Sequence, residues 1–152
     1  MFKKYPVIPI FIALIFFLVF CNLLRDSYVL GGYTSSADYY EKDAFREFTN
    51  YAEYYYNDNA KKIFEKNHFY KRVTAADIPE LDSFFEDFSH WIVFRVGYEE
   101  WFDFDYKKQL KENDFYVIEI RTPSPSYEKF TYYKIYYFDV EQSTLYFFES
   151  HP

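Results

Sequence analysis

The sequence predicts an α+β protein, in which one N-terminal transmembrane helix precedes a small domain of two or three helices packed on an antiparallel β-meander of three to five strands. Residues 7–24 are almost continuously apolar. Two later segments repeat apolar residues at helical spacing, and the C-terminal part alternates aromatic and β-branched runs with short polar turns. We therefore divide the chain into a membrane segment (1–26), a tether (27–37) and one extracytoplasmic domain (38–152).

The apolar run is long enough to span a membrane. It covers 18 positions, interrupted by Pro9 and Asn22. As a helix it would extend about 27 Å at ~1.5 Å per residue, close to the ~30 Å hydrocarbon core of a bilayer. Lys3 and Lys4 precede it and favour a cytoplasmic N-terminus. The sequence thus predicts a single-pass cell-membrane protein with its C-terminal domain outside the cytoplasm.

Two other fates of this N-terminus stay open. The residues Val29-Leu30-Gly31 loosely fit the small-residue rule for signal-peptide cleavage, which would give a secreted or periplasmic domain. Lipidation at Cys21, the one cysteine of the chain, would need a small residue before it, where Phe20 stands. The apolar surroundings of Cys21 also argue against a catalytic thiol.

The part of the chain beyond residue 25 is strongly acidic. It holds all 24 acidic residues and 14 of the 17 basic ones, a formal charge of −10. Such a field repels nucleic-acid phosphates and accelerates encounters with basic partners. The charge therefore excludes nucleic acid as the expected partner and favours a basic protein.

The first helix of the domain is predicted to begin near Asp38, where Ser35 with Asp38, or Asp38 with Glu41, fits a capping box. Three- and four-residue spacings then form one apolar stripe: Ala44, Phe45, Phe48, Tyr51, Ala52 and Tyr55. After a weakening at residues 57–59, Ile63 and Phe64 continue this helix or begin a short second one. A short strand is expected within residues 67–74.

The next helix covers IPELDSFFEDFSHW, with Asp77 and Glu80 as a capping-box candidate. Its apolar residues lie opposite Asp82, Glu86 and Asp87, and recur at helical spacing: Leu81, Phe84, Phe85, Phe88 and Trp91. The β-branched residues in 92–96 predict a change from helix to strand.

The predicted meander consists of residues 115–120, 130–140 and 144–149, with an additional strand at 101–106. In the strand at 130–140, Tyr133, Ile135 and Tyr137 alternate with a second aromatic set: Phe130, Tyr132, Lys134, Tyr136 and Phe138. The predicted helices would cover one face of this sheet. The other face is expected to be covered, half-exposed or used for binding.

No motif in the chain indicates catalysis, a metal or a cofactor. His68, His90 and His151 are too dispersed for an HExxH pair, and GxGxxG, Walker, CxxC and GxSxG motifs do not occur. Acids and large rings are densest in YEEWFDFDY, residues 98–106. This mixture suits docking of a basic protein, and the predicted partner-binding surface is Tyr98, Glu99, Glu100, Trp101, Asp103 and Asp105.

We therefore expect a membrane-anchored, non-catalytic protein-binding module, in one version an immunity-type protein against a basic toxin. The alternative is a small ligand-binding or hydrolase/isomerase-like α+β domain with an aromatic pocket. A pocket on the second sheet face would favour this alternative, and a covered face would weaken it.

Overall fold

The computed structural model describes residues 17, 29–30, 32–43, 47–93, 104–121 and 132–151. The chain divides into two units, Met1–Gly32 and Tyr33–Pro152. Within the described residues, no helix is long and apolar enough to cross a membrane. The predicted span, residues 7–24, lies outside them apart from the helical Phe17.

The second unit has an α+β fold, as predicted, but its described sheet has six strands where three to five were predicted. Three helices are described: α1 (Ala60–Lys66), α2 (Ile78–Val93) and α3 (Tyr106–Gln109). The six strands are β1 (Ser35–Asp43), β2 (Glu47–Tyr55), β3 (Lys71–Arg72), β4 (Phe115–Arg121), β5 (Tyr132–Asp139) and β6 (Thr144–His151). They form one antiparallel sheet in the order β1-β2-β6-β5-β4-β3, so β6 and β5 lie in its centre.

The helix predicted from Asp38 is wrong, because the structure has the paired strands β1 and β2 there. Aromatic residues are so frequent in this segment that they satisfy helical and strand spacing at once, and Tyr and Thr favour strands. Pairing with β6 decides between the two, and it buries the adjacent residues Tyr51 and Ala52 on opposite faces of the sheet. Strand β1 begins at Ser35, inside the stretch predicted as a tether.

Helix α2 is confirmed, but the turn before it is built differently from the predicted capping box. The carboxylate of Asp77 reaches back and accepts hydrogen bonds from the Thr74 N–H (2.8 Å) and hydroxyl (2.5 Å), and Tyr116 donates a third from β4 (2.8 Å). These bonds, that from the Thr74 side chain first, lower the pKa of Asp77. Asp77 thereby joins the entry of α2 to the sheet.

The predicted meander is confirmed as β4, β5 and β6. A tight turn joins β5 to β6, where the Asp139 carboxylate accepts the N–H groups of Glu141 and Gln142, both at 2.8 Å. The predicted short strand within 67–74 is also confirmed, as β3. Helix α2 continues through Ile92 and Val93, and the rest of the stretch 92–96, where a change from helix to strand was predicted, lies outside the described residues. The strand predicted at 101–106 is wrong in its described part, because residues 104 and 105 are not in a strand and α3 begins at Tyr106.

The first face of the sheet packs against α2. On β5 this face presents Tyr133, Ile135 and Tyr137. The ring centroid of Phe85 lies 4.8 Å from that of Phe148 on β6, and Phe88 lies 5.2 Å from the same ring. An aromatic core thus fills the space between α2 and the central strands.

The second face is also covered at its centre. Phe64 of α1 stacks on Phe138 of β5 with centroids 3.9 Å apart, and Tyr56 and Tyr70 pack around it edge-on. Farther along this face, Tyr136 and Phe147 pair at 4.9 Å and both are buried. The central strands therefore have a hydrophobic layer on each side.

Candidate functional site

Most of the predicted partner-binding surface lies outside the described residues. This holds for Tyr98, Glu99, Glu100, Trp101 and Asp103. Asp105 is described and exposed, and its carboxylate lies 2.5 Å from the Lys108 ammonium, whose hydrogen bond lowers the pKa of Asp105. Asp105 precedes α3 and forms a local ion pair with it.

Phe104, the neighbour of Asp105, fixes the end of the acidic aromatic stretch in the core. Its ring centroid lies 4.6 Å from Tyr146, 4.9 Å from Phe148 and 5.0 Å from Phe85. Phe104 is therefore an anchoring residue, and it places Asp105 beside the packing of α2 on the sheet.

The outer side of α2 is the most distinctive charged surface of the described structure. It carries the four acidic residues of the helix and, apart from His90, no basic residue: Glu80, Asp82, Glu86 and Asp87. Helical geometry places them away from the buried Leu81, Phe85 and Phe88. We call these four residues the acidic helix surface.

The acidic helix surface has no cationic neighbour of its own within the described part of the chain. The ion pairs found there join other residues: Arg72 with Glu65, Lys108 with Asp105, Lys111 with Glu141, and Lys134 with Glu149. Asp87 accepts a 3.1 Å hydrogen bond from the Tyr133 hydroxyl, and burial together with this carboxylate raises the pKa of Tyr133. The other three carboxylates are available to pair with Lys or Arg side chains of another molecule.

The two described histidine side chains do not come together. His68 follows α1, which packs on the second face, whereas His90 lies on α2, which packs on the first. Within the residues that the structure describes, no group of three or more His, Cys, Asp or Glu residues could hold a metal ion.

A buried polar cluster around Asp114 was not predicted from the sequence. Its carboxylate accepts hydrogen bonds from the Tyr137 hydroxyl (2.5 Å) and the Val140 N–H (3.0 Å). The same hydroxyl accepts the Lys111 N–H at 3.0 Å. Burial raises the pKa of Asp114, although these hydrogen bonds oppose the shift. The cluster joins the loop before β4 to the end of β5, and its partners are internal.

A second internal pair lies on the second sheet face. Lys134 and Glu149 are opposite each other on β5 and β6, with Nζ and Oε1 3.3 Å apart, and both are largely buried. The Tyr132 hydroxyl donates to the same carboxylate oxygen at 2.5 Å. These contacts satisfy the buried charges within the domain.

Among the described groups, the acidic helix surface thus presents unneutralised charge to solvent, whereas Asp114 and Glu149 are enclosed with partners. The sequence did show the acids opposite the apolar stripe of α2. No protein-family model, curated protein or solved structure matches this chain.

The role of the Asp114 cluster is tested by Tyr137→Phe. Loss of the hydroxyl removes a donor to Asp114 and leaves the Lys111 N–H unpaired, so we expect unfolding to become about 1–3 kcal/mol easier near neutral pH. Folding raises the pKa of Asp114, so the folded protein loses stability as the pH rises and this carboxyl group ionises. The variant lacks the Tyr137 hydrogen bond that stabilises the ionised carboxylate, so it should raise the pKa of Asp114 further. The loss should therefore be smaller near the ordinary aspartate pKa of about 4.

The measurement is urea unfolding at both pH values. Tyr106→Phe is the matched control, because the partly buried Tyr106 ring packs near Phe85 and its hydroxyl has no hydrogen-bond partner among the described residues. An equal loss at the two pH values would contradict the coupling of Tyr137 to the charge of Asp114.

Proposed function

We propose that this chain is a non-catalytic protein-binding module, held at the outer side of the cell membrane by residues 7–24, whose acidic surface binds a basic protein. The observation that carries the proposal is the acidic helix surface. Its carboxylates have no lysine or arginine neighbour in the described structure, and they lie on one side of a helix that the aromatic core holds rigidly. A rigid array of like charges suits fast, specific docking of an oppositely charged surface.

The packing of the sheet supports this proposal over an aromatic ligand pocket. A pocket for a small ligand or a sugar would need accessible rings on the second face. There, Tyr136, Phe138 and Phe147 are buried, and Phe138 is stacked by Phe64. The outer surfaces of the helices and loops are the better candidates for binding.

The predicted surface at residues 98–105 is included in the proposed footprint. Phe104 is packed against Phe85 from the inner side of α2, so Asp105 follows directly from a residue fixed at that helix. We propose that Tyr98, Glu99, Glu100, Trp101 and Asp103 extend the acidic helix surface and supply large rings to the same interface.

A specific version of this function is an immunity-type protein that neutralises a basic toxin at the membrane. The small size, the acidic charge and the predicted tether support it. A gene for a secreted basic toxin beside this one would identify the partner to be tested.

Charge reversal on α2 tests the proposed interface. The partner is first identified by cross-linking in native membranes and is then purified. We expect the double variant Asp82→Lys/Glu86→Lys to raise the Kd for that partner at least about tenfold, because two attractive contacts become repulsive. Isothermal titration calorimetry at two salt concentrations measures the affinity and its electrostatic part.

The matched control is Asp58→Lys/Glu112→Lys, which changes the net charge equally at exposed sites that do not belong to α2. It should change the Kd much less. If both double variants change the Kd equally, the partner responds to the net charge of the domain and not to the position of the charges on α2, which contradicts the proposed interface. An unchanged Kd in the α2 variant would also contradict it.

The proposed topology has its own test. Alkaline phosphatase fused after Pro152 should be active in intact bacterial cells, because residues 7–24 would carry the domain out of the cytoplasm. The positively charged Lys3 and Lys4 should set this orientation, so Lys3→Glu/Lys4→Glu should lower the activity. If a reporter that works only in the cytoplasm is active when it is fused after Pro152 instead, the outside placement of the domain is wrong.

A further inference from the structure

The outer edge of β4 is covered along a small part of its length. Strand β3 pairs with Phe115 and Tyr116 through its two residues, whereas β5 pairs with all seven residues of β4 on the other side. Within the described residues, no strand pairs with 117–121 on the β3 side. Such an edge is a template for another strand.

The hydrogen bonds between β3 and β4 show which backbone groups face this edge. The Asp114 carbonyl accepts the Val73 N–H (2.8 Å), and the Asn113 N–H donates to the Val73 carbonyl (3.0 Å). Asn113 and Asp114 therefore both lie opposite Val73, which is the arrangement of a β-bulge, and the φ of 74° at Asn113 is typical of its first residue. Regular alternation of the backbone groups begins after this bulge. The N–H and C=O groups of Tyr116, Ile118 and Ile120 therefore point toward the outer edge.

Ile120 is the exposed apolar residue on this edge. It is 53% exposed, although it lies in a strand whose first three residues are buried. An exposed β-branched side chain beside outward-facing backbone groups is what an added strand would cover.

The charges around Ile120 are self-complementary. Glu119 precedes it and Arg121 follows it. In an antiparallel pair of two identical strands centred on Ile120, position 119 of each copy lies opposite position 121 of the other. Opposite charges would then face each other twice, in non-hydrogen-bonded pairs, where side chains approach most closely.

We propose that the outer edge of β4 pairs with the same edge of a second copy of this chain, antiparallel and centred on Ile120, to form a two-fold symmetric dimer with one continuous sheet. The symmetric register explains the placement of Glu119, Ile120 and Arg121 together, which a strand from an unrelated protein would not require. The acidic helix surface is not part of this contact, so the dimer is independent of the proposed binding function.

Charge variants test both the dimer and its register. Glu119→Arg alone places Arg opposite Arg, and Arg121→Glu alone places Glu opposite Glu, so each purified full-length variant should dimerise at least about tenfold more weakly than the unaltered chain. A mixture of the two variants restores both attractive pairs and should form a heterodimer. Sedimentation in detergent gives the dissociation constants, and differently tagged copies identify the heterodimer.

Cross-linking tests the central position directly. In a Cys21→Ser background, Ile120→Cys should give a covalent dimer with a short bismaleimide, because facing Cα atoms of a hydrogen-bonded antiparallel pair lie about 5.5 Å apart. Ile63→Cys is the control, since Ile63 is also exposed (39%) but lies on α1.

A monomeric unaltered chain at all concentrations would overturn the proposal. So would a mixture of Glu119→Arg and Arg121→Glu that stays monomeric, or equal cross-linking through Ile63→Cys and Ile120→Cys. Circular dichroism establishes that each variant is folded, and the edge location of these residues leaves the core between α2 and the sheet unchanged.

Discussion

Burial of β5 and β6 on both faces is the constraint on which the rest of this domain depends. Tyr137 and Phe138 are neighbours in the chain and point to opposite sides of the sheet, yet neither side chain is exposed. Each side needs its own cover, which α2 supplies on the first face and α1 on the second. The high aromatic content follows from this demand, because large rings fill two separate layers in a domain of modest size.

The same constraint determines where polar groups can act. Charges that enter the layers are paired inside the domain, as Lys134 is with Glu149, or hydrogen-bonded, as Asp114 is to Tyr137. Groups satisfied in this way stabilise one arrangement of the chain and leave little capacity for a ligand. Charge that faces solvent without a neighbouring cation is found instead on the outer side of α2, and the proposed function follows from this division.

The sequence predicted the elements whose pattern admits one interpretation. Helix α2 has a clear apolar stripe opposite acids, and β4 to β6 are separated by recognisable turns. Strands β1 and β2 were missed because their rings fit two periodicities, and pairing with β6, a contact between distant parts of the chain, decides between them. The bond between Asp114 and Tyr137 joins residues 23 positions apart, so no local pattern could reveal it. Of the predicted binding surface, the structure describes Asp105.

Hydroxyl-radical footprinting read by mass spectrometry tests the central claim most directly, because it reports the solvent exposure of individual aromatic side chains. Burial of both faces predicts that Tyr136, Phe138 and Phe147 are as protected as Tyr137 and Phe148 of the opposite face, while the exposed Tyr33 and Tyr55 are oxidised readily. Oxidation of Tyr136 and Phe147 at the rate of Tyr55 would contradict the account, since it would reveal an open aromatic face where a ligand could bind.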